Sequence, residues 1–184
     1  MIAGQDSGTD SIRRLSQQAH FLARDMVCYR TGRGRVSTNI TAQNMRRLSD
    51  ELEECHHALL GNMCNTLNMT SDTAHQKFIQ VADEVFRDGV NWGRIVALFT
   101  FGGKLAQFCV RNGMQQSVEE VQRWIGDYVS GLSHWIHKQG GWDSFDNHFK
   151  DPSTREKSGW WTGILLATVG IGTLATFGFV YKQC

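Results

Sequence analysis

The sequence is poor in residues that break helices or cross-link a chain. Proline occurs once, at Pro152, so almost every other position is free to adopt helical structure. The five cysteines are an odd number and include no Cys-x-x-Cys pair, which argues against a disulfide framework and for a reducing compartment. The first residues contain no apolar stretch, so we expect no signal peptide.

Charge is sparse and balanced. The 19 basic and 18 acidic residues leave a formal net charge of +1, and no basic block stands out along the chain. A nucleic acid is therefore a poor candidate partner. By contrast, 41% of the 184 residues are hydrophobic, which is typical of a globular protein and sufficient for one domain with its own core.

An uncharged segment long enough to cross a bilayer lies near the C-terminal end. Residues 160–180 carry no charge, and 21 residues at the helical rise span about 31 Å, close to the thickness of the hydrocarbon layer. Aromatic and basic side chains flank it, as at membrane interfaces: Trp160, Trp161, Tyr181, Arg155, Lys157 and Lys182. We predict a transmembrane tail anchor over residues 160–181, a linker over residues 151–159, and residues 1–159 in the cytosol. A buried core helix is the weaker alternative, because so small a chain cannot surround a helix that is apolar on every face.

The rest of the chain has helical periodicity and no strand alternation. Residues 1–10 are polar, and we expect them to be flexible. Apolar residues then recur at spacings of three and four, which predicts helices over about residues 11–30, 41–60, 73–86, 92–110, 117–139 and 142–149. The fold class is therefore all-α, with one helical domain over residues 11–150.

Two helix starts carry sequence signals. Asn91 is a good N-cap for a helix whose residues 95–103 have no charge, although Lys104 interrupts the run before it could span a bilayer. This helix is therefore predicted to be the central core helix. Ser117-Val-Glu-Glu120 matches a capping box and predicts that the next helix begins there.

Four segments resemble the homology motifs of the Bcl-2 family of apoptosis regulators. Asn91-Trp-Gly-Arg94 with its apolar continuation is similar to the first motif, and Gly140-Gly-Trp-Asp-Ser-Phe145 is similar to the second. Met45-Arg-Arg-Leu-Ser-Asp-Glu-Leu52 resembles the third, the BH3 segment, and residues 22–29 are a weaker match to the fourth. The resemblance implies a Bcl-2-like helical bundle around a central apolar helix hairpin, followed by the C-terminal transmembrane helix.

The resemblance also implies a binding function. Members of the family hold the BH3 helix of a pro-apoptotic partner in a hydrophobic groove, a standard example of helix-in-groove recognition. It assigns Arg94 to an aspartate of that helix, Asn91 to a polar contact, and Gly93 to close approach of the partner backbone. It places one wall at Leu52, His56, Leu60 and Met63, the floor and other wall at Val81, Val85, Val96, Ala97 and Phe101, and the end at Phe149. From position alone Arg94 would be a solvated arginine, and Val96 and Ala97 would equally well be ordinary core.

Some positions stay open or depart from the family pattern. His56 stands where pro-survival members carry an aromatic ring, which changes the size or polarity of one pocket. Asp50 is either a solvated residue of the second helix or, if that helix is exposed, a partner for the groove arginine of another copy. Trp135 and Trp142 are predicted to be core anchors rather than partner contacts.

Catalysis is not expected. Cys55 and His56 are adjacent in sequence, but adjacent residues on a helix do not face each other. His134 and His137 could share a helix face, but spacing supplies no third metal ligand. No phosphate-binding loop or nucleophile elbow occurs. We therefore predict neither an enzyme nor a cofactor nor a metal site.

Both sides of the family share this fold, so the role in apoptosis must come from details. The segment 86–96 and the second motif resemble pro-survival guardians, which sequester BH3 proteins. Leu52, where guardians often carry phenylalanine, resembles the Bak- and Bax-like effectors that oligomerise and permeabilise the mitochondrial outer membrane. The guardian role is preferred, with the effector role as the alternative. We expect BH3-containing partners, homo- or heterodimers, and location at the mitochondrial outer membrane or endoplasmic reticulum.

Overall fold

The computed structural model describes residues 5–150, with side chains from residue 8 onward. This part of the chain is all-α, as predicted: it forms eight helices and contains no strand. The helices are α1 (Gln5–Thr31), α2 (Ile40–Cys55), α3 (His57–Thr66), α4 (Ala74–Phe86), α5 (Trp92–Arg111), α6 (Gln115–Gly131), α7 (Ser133–Lys138) and α8 (Trp142–His148).

Helix α5 is the centre of the bundle. The side chain of Asn91 accepts a hydrogen bond from the backbone N–H of Arg94 at 2.8 Å, which confirms the predicted N-cap. Of the 20 residues in α5, 15 are buried, so the helix is apolar on nearly every face and must be covered on all sides. Helices α1, α2, α3, α4 and α6 provide that cover by packing directly against it.

Helix α6 completes the hairpin with α5. A short turn at residues 112–114 joins the two helices, which then pack along each other and against α1. A Cβ atom at Gly102 would overlap the buried side chain of Ile125, so glycine is what allows α5 and α6 to approach this closely.

Aromatic rings join the start of α5 to α7 and α8. The ring of Trp92 lies 4.9 Å from that of Trp135, 5.9 Å from Trp142 and 5.6 Å from Phe145, measured between centroids. The indole N–H of Trp142 donates to the carbonyl oxygen of Leu15 in α1 at 3.3 Å. Trp135 and Trp142 are therefore core anchors, as the sequence predicts.

A cluster of partly buried charges fixes α2 against α1 and α5. Arg30 of α1 donates to Glu53 at 2.7 Å and lies 3.0 Å from Asp50, and Lys104 of α5 also pairs with Glu53. The Arg30 and Lys104 side chains are only 8% and 12% exposed. Asp50 accepts a further hydrogen bond from the Tyr29 hydroxyl at 2.6 Å. Asp50 is thus a residue of α2 with partners inside its own chain.

Helix α1 begins at Gln5, earlier than the predicted residue 11. Residues 5–10 are therefore helical rather than flexible. Asp10 pairs with Arg13 at 2.6 Å and with Arg14 at 3.4 Å, and such pairs three or four residues apart stabilise a helix that lacks an apolar face.

The predicted helix over residues 41–60 is wrong. Helix α2 ends at Cys55, and α3 starts at His57. Between them His56 leaves the helical conformation, with φ −128° and ψ 32°. Two helices therefore replace one, and the chain changes direction at His56.

The predicted start and extent of the next helix also need correction. Helix α6 begins at Gln115, its N-cap residue Met114 makes no side-chain capping bond, and Ser117 is buried inside the helix. The capping box is therefore not formed. The helix then ends at Gly131, and a break at Leu132 separates it from α7.

Replacing Glu53 with glutamine should destabilise the fold by about 2–3 kcal/mol, because it removes the shared counter-charge of two largely buried cations. The matched control is Glu54→Gln, since Glu54 is exposed and the same change there should cost under about 0.5 kcal/mol. Urea denaturation of both variants measures the difference. Equal free energies of unfolding would show that the charge cluster does not hold α2 in place.

Candidate functional site

The structure gathers the predicted groove residues around α5, but in a closed core. Helices α3 and α4 each pack against α5, so the predicted walls flank the predicted floor. Phe149, just after α8, packs its ring on Phe145 at a centroid distance of 5.2 Å. Nine apolar residues of the predicted groove are 8% exposed or less and belong to one hydrophobic core: Leu52, Leu60, Met63, Val81, Val85, Val96, Ala97, Phe101 and Phe149. In this conformation their neighbours cover them.

His56 lies at the junction of the α2 and α3 wall and is half-buried. Desolvation by burial lowers the pKa of its imidazole, which favours the neutral ring at neutral pH. A neutral imidazole can lie against apolar groups while keeping one donor and one acceptor. This corner of the predicted groove is therefore more polar than an aromatic ring would make it.

Arg94 stands in the first turn of α5 with its guanidinium partly engaged inside the chain. One terminal nitrogen, Nη1, donates to the carbonyl oxygen of Gly89 at 2.6 Å. The other, Nη2, lies 3.6 Å from a carboxylate oxygen of Asp88, whose side chain is 68% exposed. The Nε atom is buried and has no hydrogen-bond partner among the described residues.

These contacts leave one edge of the guanidinium weakly occupied. Nε and Nη2 of Arg94 lie on the same side of the group and form one of the two edges that can grip a carboxylate with parallel hydrogen bonds. Only the long contact with Asp88 competes for that edge. A buried N–H without a partner costs about 1–3 kcal/mol, so an acceptor arriving there gains more than it would at a solvated arginine. Arg94 is thus built to take a carboxylate.

The other two residues of the first motif have structural duties. The Asn91 side-chain oxygen caps α5, which leaves only its amide N–H groups for a partner. Gly93 is buried in the first turn of α5, next to Arg94. Both residues therefore hold the helix end that presents Arg94.

The reactive groups in the described chain do not form a catalytic site. Burial raises the pKa of the Cys64 thiol to about 12 and that of Cys109 to about 11, so both stay protonated at neutral pH and are poor nucleophiles. His134 and His137 lie on α7, and no group of three or more potential metal ligands occurs within residues 5–150.

The predicted tail anchor over residues 160–181 lies outside the described residues. Among residues 5–150, no helix is both long enough and apolar enough to cross a membrane. The linker over residues 151–159 is also outside the described part.

Sequence analysis missed the charge cluster that positions the α2 wall. Its signal was Lys104, the single charged residue between positions 95 and 110. A lone lysine inside a helix that is apolar all round requires a carboxylate partner, because an unpaired buried charge is costly. The partner, Glu53, lies on another helix, and spacing along the chain does not identify it.

Comparison with known proteins agrees with this geometry. The model of the apoptosis regulator proteins of the Bcl-2 family matches residues 45–142. Bcl-2-like protein 1 of Homo sapiens is 43% identical over 104 residues, which are 56% of this chain and 45% of that protein. Apoptosis regulator R1 of Xenopus laevis is 33% identical over 147 residues, which are 76% of this chain and 64% of that protein. The chain therefore spans about half the length of the curated relatives it matches.

A solved structure has the same fold. Trichoplax adhaerens trBcl-2L2, in a crystal structure bound to trBak BH3, superposes with a TM-score of 0.64 at 31% sequence identity, covering 72% of this chain and 99% of that one. The family match runs from α2 to the start of α8 and covers more than half of the 184 residues. The chain belongs to the Bcl-2 family of apoptosis regulators.

Proposed function

We propose that this protein restrains cell death by holding the BH3 helix of a pro-apoptotic partner over α5, between α3 and α4. The observation that carries the proposal is the weakly occupied Nε–Nη2 edge of Arg94, placed beside a continuous set of apolar side chains. The trBak BH3 bound to the Trichoplax relative supports a ligand of this kind. The proposed function involves binding and no catalysis.

The polar and apolar parts of the site suit an amphipathic helix. Such a helix presents apolar anchors at positions i, i+3, i+4 and i+7, and a groove receives them along its floor. An aspartate between the anchors would reach Arg94 and displace the long contact with Asp88. The pair fixes the register of the ligand, because a one-residue shift would leave the carboxylate without its guanidinium.

The buried state of the groove residues sets the energetics. Because their side chains already pack against neighbours, a ligand must exchange intramolecular contacts for intermolecular ones. Only the surplus contributes to affinity. The proposed partners are therefore those whose anchors replace the contacts of α3 and α4 with α5 most completely.

The guardian role is favoured over the effector role. The likeness to Bcl-2-like protein 1 and the guardian-like wording of residues 86–96 support it. The charge cluster adds a physical argument: Asp50, in the BH3-like segment of α2, is paired with Arg30 and Tyr29. Exposing α2 as a death signal would break these contacts, so the fold favours α2 as a wall of the groove.

We further propose that residues 160–181 anchor the protein in the mitochondrial outer membrane or the endoplasmic reticulum. The full chain should resist carbonate extraction from both membrane fractions, because removing an apolar helix from lipid is unfavourable. A chain truncated after Gly159 should be released. Equal extraction of the two chains would exclude the anchor.

Arg94→Ala should weaken binding of a synthetic BH3 peptide by at least about fivefold, equivalent to about 1 kcal/mol if the ion pair is partly solvated. A fully desolvated pair would cost about 2–5 kcal/mol. The control is Arg87→Ala, since Arg87 is an exposed arginine nearby and should leave affinity nearly unchanged. Calorimetric titration of each variant gives the affinities.

A double-mutant cycle shows whether the two residues touch. Changing the peptide aspartate to alanine should weaken wild-type binding as much as Arg94→Ala does, yet add little in the Arg94→Ala background. Additive losses would mean that the residues do not pair, and that the groove register is wrong.

The guardian role predicts that vesicles stay intact. Full-length protein mixed with dye-loaded liposomes should retain the dye when a BH3 peptide is added, and the peptide should raise the melting temperature, because it binds the folded state. A Bak- or Bax-like protein should release the dye under the same conditions. Release would overturn the guardian assignment and leave the effector alternative.

A further inference from the structure

One face of the molecule, away from the groove, collects exposed apolar side chains. Within the described residues, the exposed large hydrophobic side chains all fall between positions 21 and 40: Phe21, Tyr29, Val36 and Ile40, at 40%, 38%, 46% and 59% exposure. Two belong to α1, one to the loop between α1 and α2, and one opens α2. Scattered exposed apolar residues need no explanation, but a local concentration does.

The loop between α1 and α2 folds back along α1 and brings these residues together. Gly34, with a positive φ of 91°, lies so close to α1 that a Cβ there would be 3.2 Å from the Cys28 sulfur. Further along, the backbone N–H of Ser37 donates to the buried carboxylate of Asp25, and Arg46 donates to the Ser37 carbonyl at 2.9 Å. The loop is thus held as a ridge on the outer side of α1.

Three arginines on this ridge and on α1 have no carboxylate partner. Arg24, Arg33 and Arg35 are exposed and make no ion pair within the described chain. Elsewhere in that part of the chain, exposed arginines are paired, as Arg13 is with Asp10 and Arg87 with Glu84. We call the face formed by these three arginines with Phe21, Tyr29, Val36 and Ile40 the loop ridge.

We propose that the loop ridge docks on an anionic lipid bilayer. Lipid phosphates and carboxylates would receive the three guanidinium groups, while the apolar side chains enter the headgroup region, the combination that peripheral membrane segments use. The shape favours lipid over a peptide, because a raised loop can lie on a deformable surface, whereas peptides are usually taken up by concave sites or strand edges. This contact does not depend on the tail anchor, since all its residues lie between α1 and the start of α2.

Hydrogen exchange of the full chain provides a local readout. The backbone N–H groups of residues 33–36 donate no hydrogen bond within the described structure, so they should exchange rapidly in the free protein. Phosphatidylcholine vesicles containing phosphatidylserine should slow this exchange by at least about threefold relative to phosphatidylcholine alone, because the guanidinium groups then have anionic partners. A tail anchor would insert into both kinds of vesicle and would not produce this difference. About 0.5 M salt should remove most of the protection.

Matched variants separate the ridge from general electrostatics. Arg24→Gln/Arg33→Gln/Arg35→Gln should abolish the lipid-dependent protection. A control with the same change in net charge replaces Arg87, Arg123 and Lys138, exposed on other helices, with glutamine and should retain it. Val36→Ser/Ile40→Ser should weaken the protection while keeping its salt sensitivity. All these side chains are exposed, so circular dichroism spectra and melting temperatures should stay near wild type.

Two outcomes would overturn the proposal. Equal exchange on the two vesicle types would show that the ridge does not bind anionic lipid, and an acidic protein segment would then be the better candidate partner. Equal loss of protection in both triple variants would assign the effect to net charge rather than to this surface.

Discussion

The structure depends on the need to cover α5, a helix that is apolar on nearly every face. No single neighbour can bury such a helix, so five others surround it. The floor of the proposed groove is part of this cover: Val96, Ala97 and Phe101 belong to the same core as residues that face α1 and α6. Stability and binding therefore draw on the same apolar surface, and a ligand competes with α3 and α4 for it.

Charge is used in two opposite ways around this core. At α2, Arg30 and Lys104 share Glu53, so buried cations are neutralised and one wall of the groove is fixed. At the start of α5, Arg94 has only a carbonyl oxygen and a distant, exposed carboxylate, and its Nε has no partner among the described residues. The first arrangement is complete within the chain, and the second is left to be completed by a ligand.

The sequence predicted what local chemistry determines and failed where packing decides. The Asn91 cap, the central position of α5 and the short α8 follow from signals a few residues apart. The break at His56 escaped because apolar residues keep helical spacing from Leu52 to Leu60 and Met63. The Ser117 box failed because Ser117 is buried, so packing overrides the cap. Periodicity also cannot distinguish a groove floor from a core, since both require apolar residues at the same spacing.

The contacts around α5 restrain the walls unequally. Besides the charge cluster, α2 is tied to the ridge side by the pair of Arg46 with Asp25. Helix α4 is joined to α6 by the Tyr128 hydroxyl, which donates to Asp83 at 2.9 Å, and by the stacked rings of Phe86 and Tyr128. Helix α3 buries only three side chains, and its N-cap residue makes no side-chain capping bond. Opening the core for a ligand therefore costs least at α3, and His56, already outside helical geometry, is where α3 can turn away from α2.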